Sequence, residues 1–184
     1  MTPPAAELEG WLVVVDLQYV FGDEGSPWGA PRFAEIRPRI RRLVEAFGDR
    51  VAWTRFVAPA QPEGAWQEYY AQFPFARQPP DAALYRLVED PGASPVVDAT
   101  TFGKWGPELA GIVGQGPLTV AGVATDCCVI STVLPAADAG VPVRVVRDAC
   151  AGSGDDDHDA ALRVMALYAP LVEVVTTDEV LAGR

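Results

Sequence analysis

Six short apolar runs punctuate the chain: WLVVVD (11–16), RVAWTRFV (50–57), PVVD (95–98), PLTVAGV (117–123), VPVRVV (141–146) and PLVEVV (170–175). Each is rich in β-branched residues and too short for an ordinary helix, the signature of buried strands. Between them, residues 31–47, 105–113, 126–139, 157–168 and 177–182 carry apolar residues at spacings of three and four, which predicts connecting helices. The alternation predicts an α/β fold: a six-stranded, mostly parallel sheet with helices on both faces. Residues 58–94 break the rhythm with Pro, Gln and the aromatics Trp66, Tyr69, Tyr70, Phe73 and Phe75. That stretch is too long for a plain connection and is expected to cover a pocket. No repeat or shift in composition divides the chain, so residues 1–184 are expected to form a single domain.

Charge narrows the range of partners. The formal net charge of −11 repels phosphate backbones, which disfavours nucleic acid. No apolar run approaches the length of a membrane span, and the opening MTPPAAELEG lacks a basic stretch followed by an apolar one. Three cysteines, Cys127, Cys128 and Cys150, are an odd set without a secreted disulfide spacing. A reducing, cytoplasmic location is expected, with a small molecule as substrate and no membrane partner.

In open parallel sheets, ligands gather beyond the carboxyl ends of the strands, where the strand order reverses. With the order 3-2-1-4-5-6, Asp16 at the end of the first run and Cys128 just after the fourth would face one crevice. A thiol in the first turn of a helix is expected to have a lowered pKa, so Cys128 is a candidate nucleophile. The competing reading is that Cys127 and Cys128 simply fill the core, as free cysteines often do. Cys150, near the end of the fifth predicted strand, is read as a packing residue. The chain's single lysine, Lys104, follows the third run and could complete a charge network or lie on the surface. "GIVGQG" (111–116) lacks the spacing and context of a nucleotide loop and is read as a turn.

Three stretches carry a family resemblance: "VVVDLQYVF" with Asp16, "AGVATDCCVISTVLPAADAG", and "VVRDACAG" followed by "HDAAL". Together they resemble the isochorismatase-like cysteine hydrolases, which include nicotinamidases and N-carbamoylsarcosine amidohydrolase. The resemblance implies a three-layer Rossmann-like fold and selects Cys128, which immediately precedes Val129, as nucleophile. It also implies a cis peptide between Val123 and Ala124, with the amides of Ala124 and Cys128 turned toward one oxyanion. The family's third catalytic residue is a lysine that aligns here with Ala99, while Lys104 falls five residues later. Either Lys104 reaches back into the site from a shifted loop, or the site lacks its lysine.

The resemblance implies hydrolysis of a small amide or related C–N bond through a thioester, without a cofactor. Isochorismatase-type vinyl ether hydrolysis with Asp16 as proton donor is an alternative, as is a binding protein whose site is disabled. Nicotinamidases hold a metal through histidines after the second strand, where this chain reads "WTRFVAPAQPEG"; no metal site is expected. The sole histidine, His158, is read as structural, and Asp155, Asp156 and Asp157 as capping its helix. Arg55 could hold a substrate carboxylate, and Phe21, Trp28, Phe102 and Trp105 could wall the pocket. Family members commonly associate, so a homo-oligomer is expected, with exposed aromatics of the insertion suited to the interface.

Overall fold

A computed structural model describes residues 8–183. Its core is a six-stranded, all-parallel sheet in the order β3-β2-β1-β4-β5-β6. The strands are β1 (Trp11–Val15), β2 (Val51–Phe56), β3 (Val96–Ala99), β4 (Leu118–Val123), β5 (Val143–Ala151) and β6 (Val172–Val175). The α-helices are α1 (Tyr19–Gly22), α2 (Phe33–Phe47), α3 (Ala65–Gln72), α4 (Pro107–Val113), α5 (Ile130–Asp138), α6 (Asp155–Ala166) and α7 (Thr177–Leu181). Every predicted strand is present.

The central strands β1 and β4 are buried almost throughout because both sheet faces are covered. Alternate β1 residues go to opposite layers: Leu12 and Val14 join one apolar cluster with Ile36, Ile40 and Leu43 of α2, while Val13 and Val15 join another with Val133 and Ala136 of α5. Helix α2 earns its place through five buried residues at three- and four-residue spacing, Phe33, Ile36, Ile40, Leu43 and Phe47.

The strand order reverses between β1 and β4. There Val15 pairs with Gly122, where a Cβ would stand 2.1 Å from the Val15 carbonyl oxygen. Only glycine allows that approach, and its φ of +122° also favours it. This brings the residues following both strands, Asp16 and Ala124, to one crevice.

The insertion, residues 58–94, folds back rather than hanging free. Gln18 fastens it: its Nε2 donates to the Phe56 carbonyl at 3.0 Å and the Tyr85 carbonyl at 2.8 Å, while its Oε1 accepts from the Phe56 amide at 2.8 Å. The Tyr85 hydroxyl donates to the Ala76 carbonyl and accepts from the Ala58 amide. Trp66, Tyr69, Phe73 and Phe75 pack against other rings and are only partly exposed. Gln18→Leu would leave three buried backbone groups unpaired, so it is expected to cost about 3 kcal/mol of stability. Urea unfolding checks this, with a lowered midpoint expected.

Candidate active site

β1 delivers Asp16 to the crevice with a positive φ of 49°, a conformation that aspartate tolerates better than most residues. The carboxylate is wholly buried and held from two sides. The Thr54 hydroxyl on β2 donates to Oδ1 at 2.7 Å, and the Lys104 ammonium lies 3.0 Å from Oδ2. Thr54 also accepts the Asp16 amide, which fixes both the backbone and the side chain of the aspartate.

Lys104 therefore reaches back from the shifted loop, whereas Ala99 ends β3 and carries no charge. Three contacts bring the loop in. The ammonium donates to the Thr101 carbonyl at 2.7 Å, the Lys104 amide donates to the Thr132 hydroxyl at 3.0 Å, and Gly103 passes so close to α5 that a Cβ would lie 2.5 Å from the Ser131 carbonyl oxygen. Thr132 in turn donates to the Cys128 carbonyl at 2.7 Å. One hydroxyl thus ties the lysine loop to the turn that carries the thiol. The ammonium also sits 5.0 Å from the Phe56 ring centroid, a favourable cation–π placement.

Beyond β4 the Val123–Ala124 peptide is cis, and residues Thr125–Val129 form a π-helical turn leading into α5. Cys128 sits in this turn, 3% exposed, on the wall of a cavity of about 190 Å³ that Cys127 and Ala124 also line. Several influences here oppose the effect of a helix start. The Cys128 thiol is pushed well up by the hydrogen bond it shares with Cys127, then by burial, then by the Asp16 carboxylate, with Lys104 pulling the other way. Cys127, half-buried, is pulled down chiefly by the same bond to Cys128. Cys128 accordingly rests protonated and needs a base to become a nucleophile.

Phe21, Trp28 and Phe102 line the cavity as expected, joined by five residues not singled out from the sequence as pocket residues: Pro27, Gly29, Phe56, Tyr69 and Ser153. Phe56 read as an ordinary strand residue, Tyr69 was one of five aromatics in the insertion, and Ser153 lay in a connecting loop. Burial holds the Tyr69 hydroxyl up, to about 12. Ser153 is fixed by Asp126, which accepts both its amide and its hydroxyl at 2.8 Å.

Two expected contacts are not made. Arg55 points away, its guanidinium paired with Asp98 on β3 at 2.6 Å and lining a separate groove. Trp105 packs against the apolar cluster on the α5 side of the sheet and does not line the cavity. Cys150 is fully buried in β5, and burial drives its thiol up to about 12.

The capping expectation is also corrected. Gly154 occupies the N-cap of α6 without a side-chain cap bond, while Asp155, Asp156 and Asp157 fill the first turn and Asp155 pairs with Arg32. His158 bonds through Nδ1 to the Thr125 hydroxyl at 2.7 Å, and burial, its dominant perturbation, lowers its pKa below the usual 6.5. The unfolded chain then binds the proton more readily, so this histidine favours the fold above pH 6.5 and that contribution is lost as pH falls below it. Between about pH 7.5 and pH 5.5 the wild-type melting temperature is expected to fall further than that of His158→Asn.

The fold and the crevice define a parallel α/β protein with a buried carboxylate–ammonium pair beside a cysteine-lined pocket. The chain belongs to the isochorismatase-domain family, whose profile matches residues 10–179. Among solved structures it resembles a cysteine hydrolase from Pseudomonas syringae pv. phaseolicola (TM-score 0.82, 20% identity, covering 98% of this chain and 97% of the other). It also resembles an isochorismatase-like hydrolase from Alkaliphilus metalliredigens (TM-score 0.75, 15% identity, 94% and 96% covered). A pyrazinamidase from Pyrococcus horikoshii, in complex with zinc, is similar at TM-score 0.72 and 23% identity, with 90% and 97% covered. At these identities the likeness is one of fold. No curated protein sequence matches the chain significantly.

The zinc of that last structure has no counterpart in this chain's donor set. Among the described residues no three His, Cys, Asp or Glu side chains come together as a metal would require, and the one imidazole is engaged by Thr125.

Proposed function

We propose that this hydrolase cleaves a small amide or related C–N bond through a thioester on Cys128, with no cofactor. The observation that carries the reading is the buried Asp16–Lys104 pair, held by Thr54 and Thr101, in the same crevice as the cavity-lining thiol. Asp16 accepts the Cys128 proton as the sulfur attacks the carbonyl carbon. The amides of Ala124 and Cys128 receive the oxyanion. As the C–N bond breaks, Asp16 returns the proton to nitrogen, and ammonia or an amine leaves. Asp16 then takes a proton from water, hydroxide attacks the thioester, and the acid departs as the thiol regains its proton. The Lys104 ammonium offsets the carboxylate charge during these transfers, so that no bare charge is left in a dry site.

The resting state fits this order of events. A protonated Cys128 is ionised only when substrate has displaced water and the proton has a carboxylate to go to. The decisive experiment is intact-mass analysis after acid quench during turnover of small amides and carbamoyl compounds. An adduct equal to substrate minus its amine, located on Cys128, is expected. Turnover without any adduct, and retained in Cys128→Ala, would overturn the reading; cleavage of a vinyl ether that survives Cys128→Ala and is lost in Asp16→Asn would favour proton donation by Asp16 instead.

A further inference from the structure

The turn that carries Cys128 is fastened from two sides. From α5, the Thr132 hydroxyl donates to the Cys128 carbonyl. From the other side, α6 and the loop before it grip the first two residues of the turn. His158 Nδ1 lies 2.7 Å from the Thr125 hydroxyl, and the Asp126 carboxylate accepts both the amide and the hydroxyl of Ser153. Gly152 shows how closely the segments fit: a Cβ there would stand 2.8 Å from Asp126 Oδ1 and 2.9 Å from His158 Cβ. Thr125 is wholly buried, and among the described residues its hydroxyl has no acceptor other than Nδ1. A buried hydroxyl proton needs an acceptor, which places the neutral ring's own proton on Nε2. His158 does not line the cavity beside the cysteines. It is half-buried on the wall of a second cavity of about 330 Å³ that shares no residue with the first.

We infer that His158 is a positioning residue for the cysteine turn: through Thr125 it holds the turn in place for attack by Cys128, and protonation of its ring releases the turn and slows the reaction. This rests on Cys128 being the nucleophile and adds a control behind it. Protonation puts a hydrogen on Nδ1, so that atom can no longer accept, and the Thr125 proton is stranded in a buried site. Thr125 follows Ala124, whose carbonyl accepts the amides of Cys127 and Val129 at 3.0 Å each, so a shift at Thr125 carries into the turn that aims the thiol. Burial is the largest influence opposing charge on the ring, and Arg32 also opposes it, whereas Asp159, Asp155 and Asp126 favour it. Glu35 and Arg39 of α2, with Arg147 and Asp148 of β5, are the other charged groups on the wall of the second cavity. The balance leaves the ring neutral, and the tie made, at neutral pH.

Kinetics of four variants test the inference, with unfolding curves on the same preparations to confirm that each is folded at the assay temperature. His158→Leu and Thr125→Val are each expected to lower kcat about tenfold with KM within about twofold, because a displaced turn costs chemistry and neither residue lines the substrate cavity. The double variant should lose no more than either single one, since both break one contact. His158→Asn, whose amide oxygen accepts where Nδ1 did and does not titrate, is expected to keep kcat within about threefold and to lose less of it than wild type between about pH 7.5 and pH 5.5. Groups such as Asp16 that titrate in both proteins cancel in that comparison. Alkylation of Cys128 by iodoacetamide at pH 7.5, located by peptide mass spectrometry, needs no substrate. It is expected to quicken at least about threefold in His158→Leu and Thr125→Val but not in His158→Asn, as a thiol only 3% exposed becomes reachable. Wild-type kcat and alkylation rate in Thr125→Val, an Asn variant no better than Leu, or matching acid limbs for wild type and Asn would overturn the role of His158. Should His158→Leu fold poorly, Thr125→Val and the wild type against Asn comparison decide. The expected alkylation pattern with no turnover of any amide by wild type would instead strike the hydrolysis reading alone.

Discussion

Cys128→Ala is expected to lower the hydrolysis rate by at least about 10³-fold while barely moving the melting temperature. The thiol borders a cavity, so its loss removes one sulfur from a wall without opening a void deep in the packing. Chemistry and stability should therefore separate cleanly. Cys127→Ala is the informative companion: it removes the neighbour whose hydrogen bond is the first cause of the raised Cys128 pKa. Assays at saturating substrate, with unfolding curves on the same preparations, decide whether the effect lies in the reacting group. An active Cys128→Ala would remove the sulfur from the mechanism.

Lys104→Met is expected to damage both activity and fold. Its side chain and that of Asp16 are both fully buried, so the substitution strands a carboxylate with only the Thr54 hydroxyl for company. Removing one partner of a buried pair typically costs about 3–5 kcal/mol, most of it the burden of the charge left behind. The double variant Asp16→Asn/Lys104→Met removes both charges and should regain much of the stability while remaining inactive. Denaturant unfolding of the single and double variants closes the cycle. If Lys104→Met alone were as stable as wild type, the pair would not hold the site as described.

The sheet was legible because its strands are nearly continuous apolar runs, and the crevice followed from where a parallel sheet changes direction. Where polar residues interrupt a strand, the pattern fell short. β5 continues through Arg147 and Asp148 to Ala151, past the end of its apolar run, with a register shift opposite Val120 and Gly122. Helix α3 went unseen because Gln67, Glu68, Tyr69 and Tyr70 present no clean apolar stripe.

In the site, Asp16 and Cys128 could be placed from strand ends alone, but Lys104 could not. What draws it in is the close passage of Gly103 against Ser131 and the hydroxyl of Thr132, contacts between segments distant in sequence. The influences that hold the proton on Cys128 escape the sequence for a related reason. A partial positive charge at a helix start can be read from sequence, whereas burial and a neighbouring thiol in a π-helical turn become visible only in three dimensions.

The chain's one lysine is spent inside the crevice, which leaves no side-chain amine facing water. Amine-directed acylating reagents should thus find no side chain to modify while the site is closed, and the surface bears its positive charge on guanidinium groups. Acylation at position 104 would then act as an internal clock, its rate recording how often the crevice opens and how firmly a bound ligand keeps it shut.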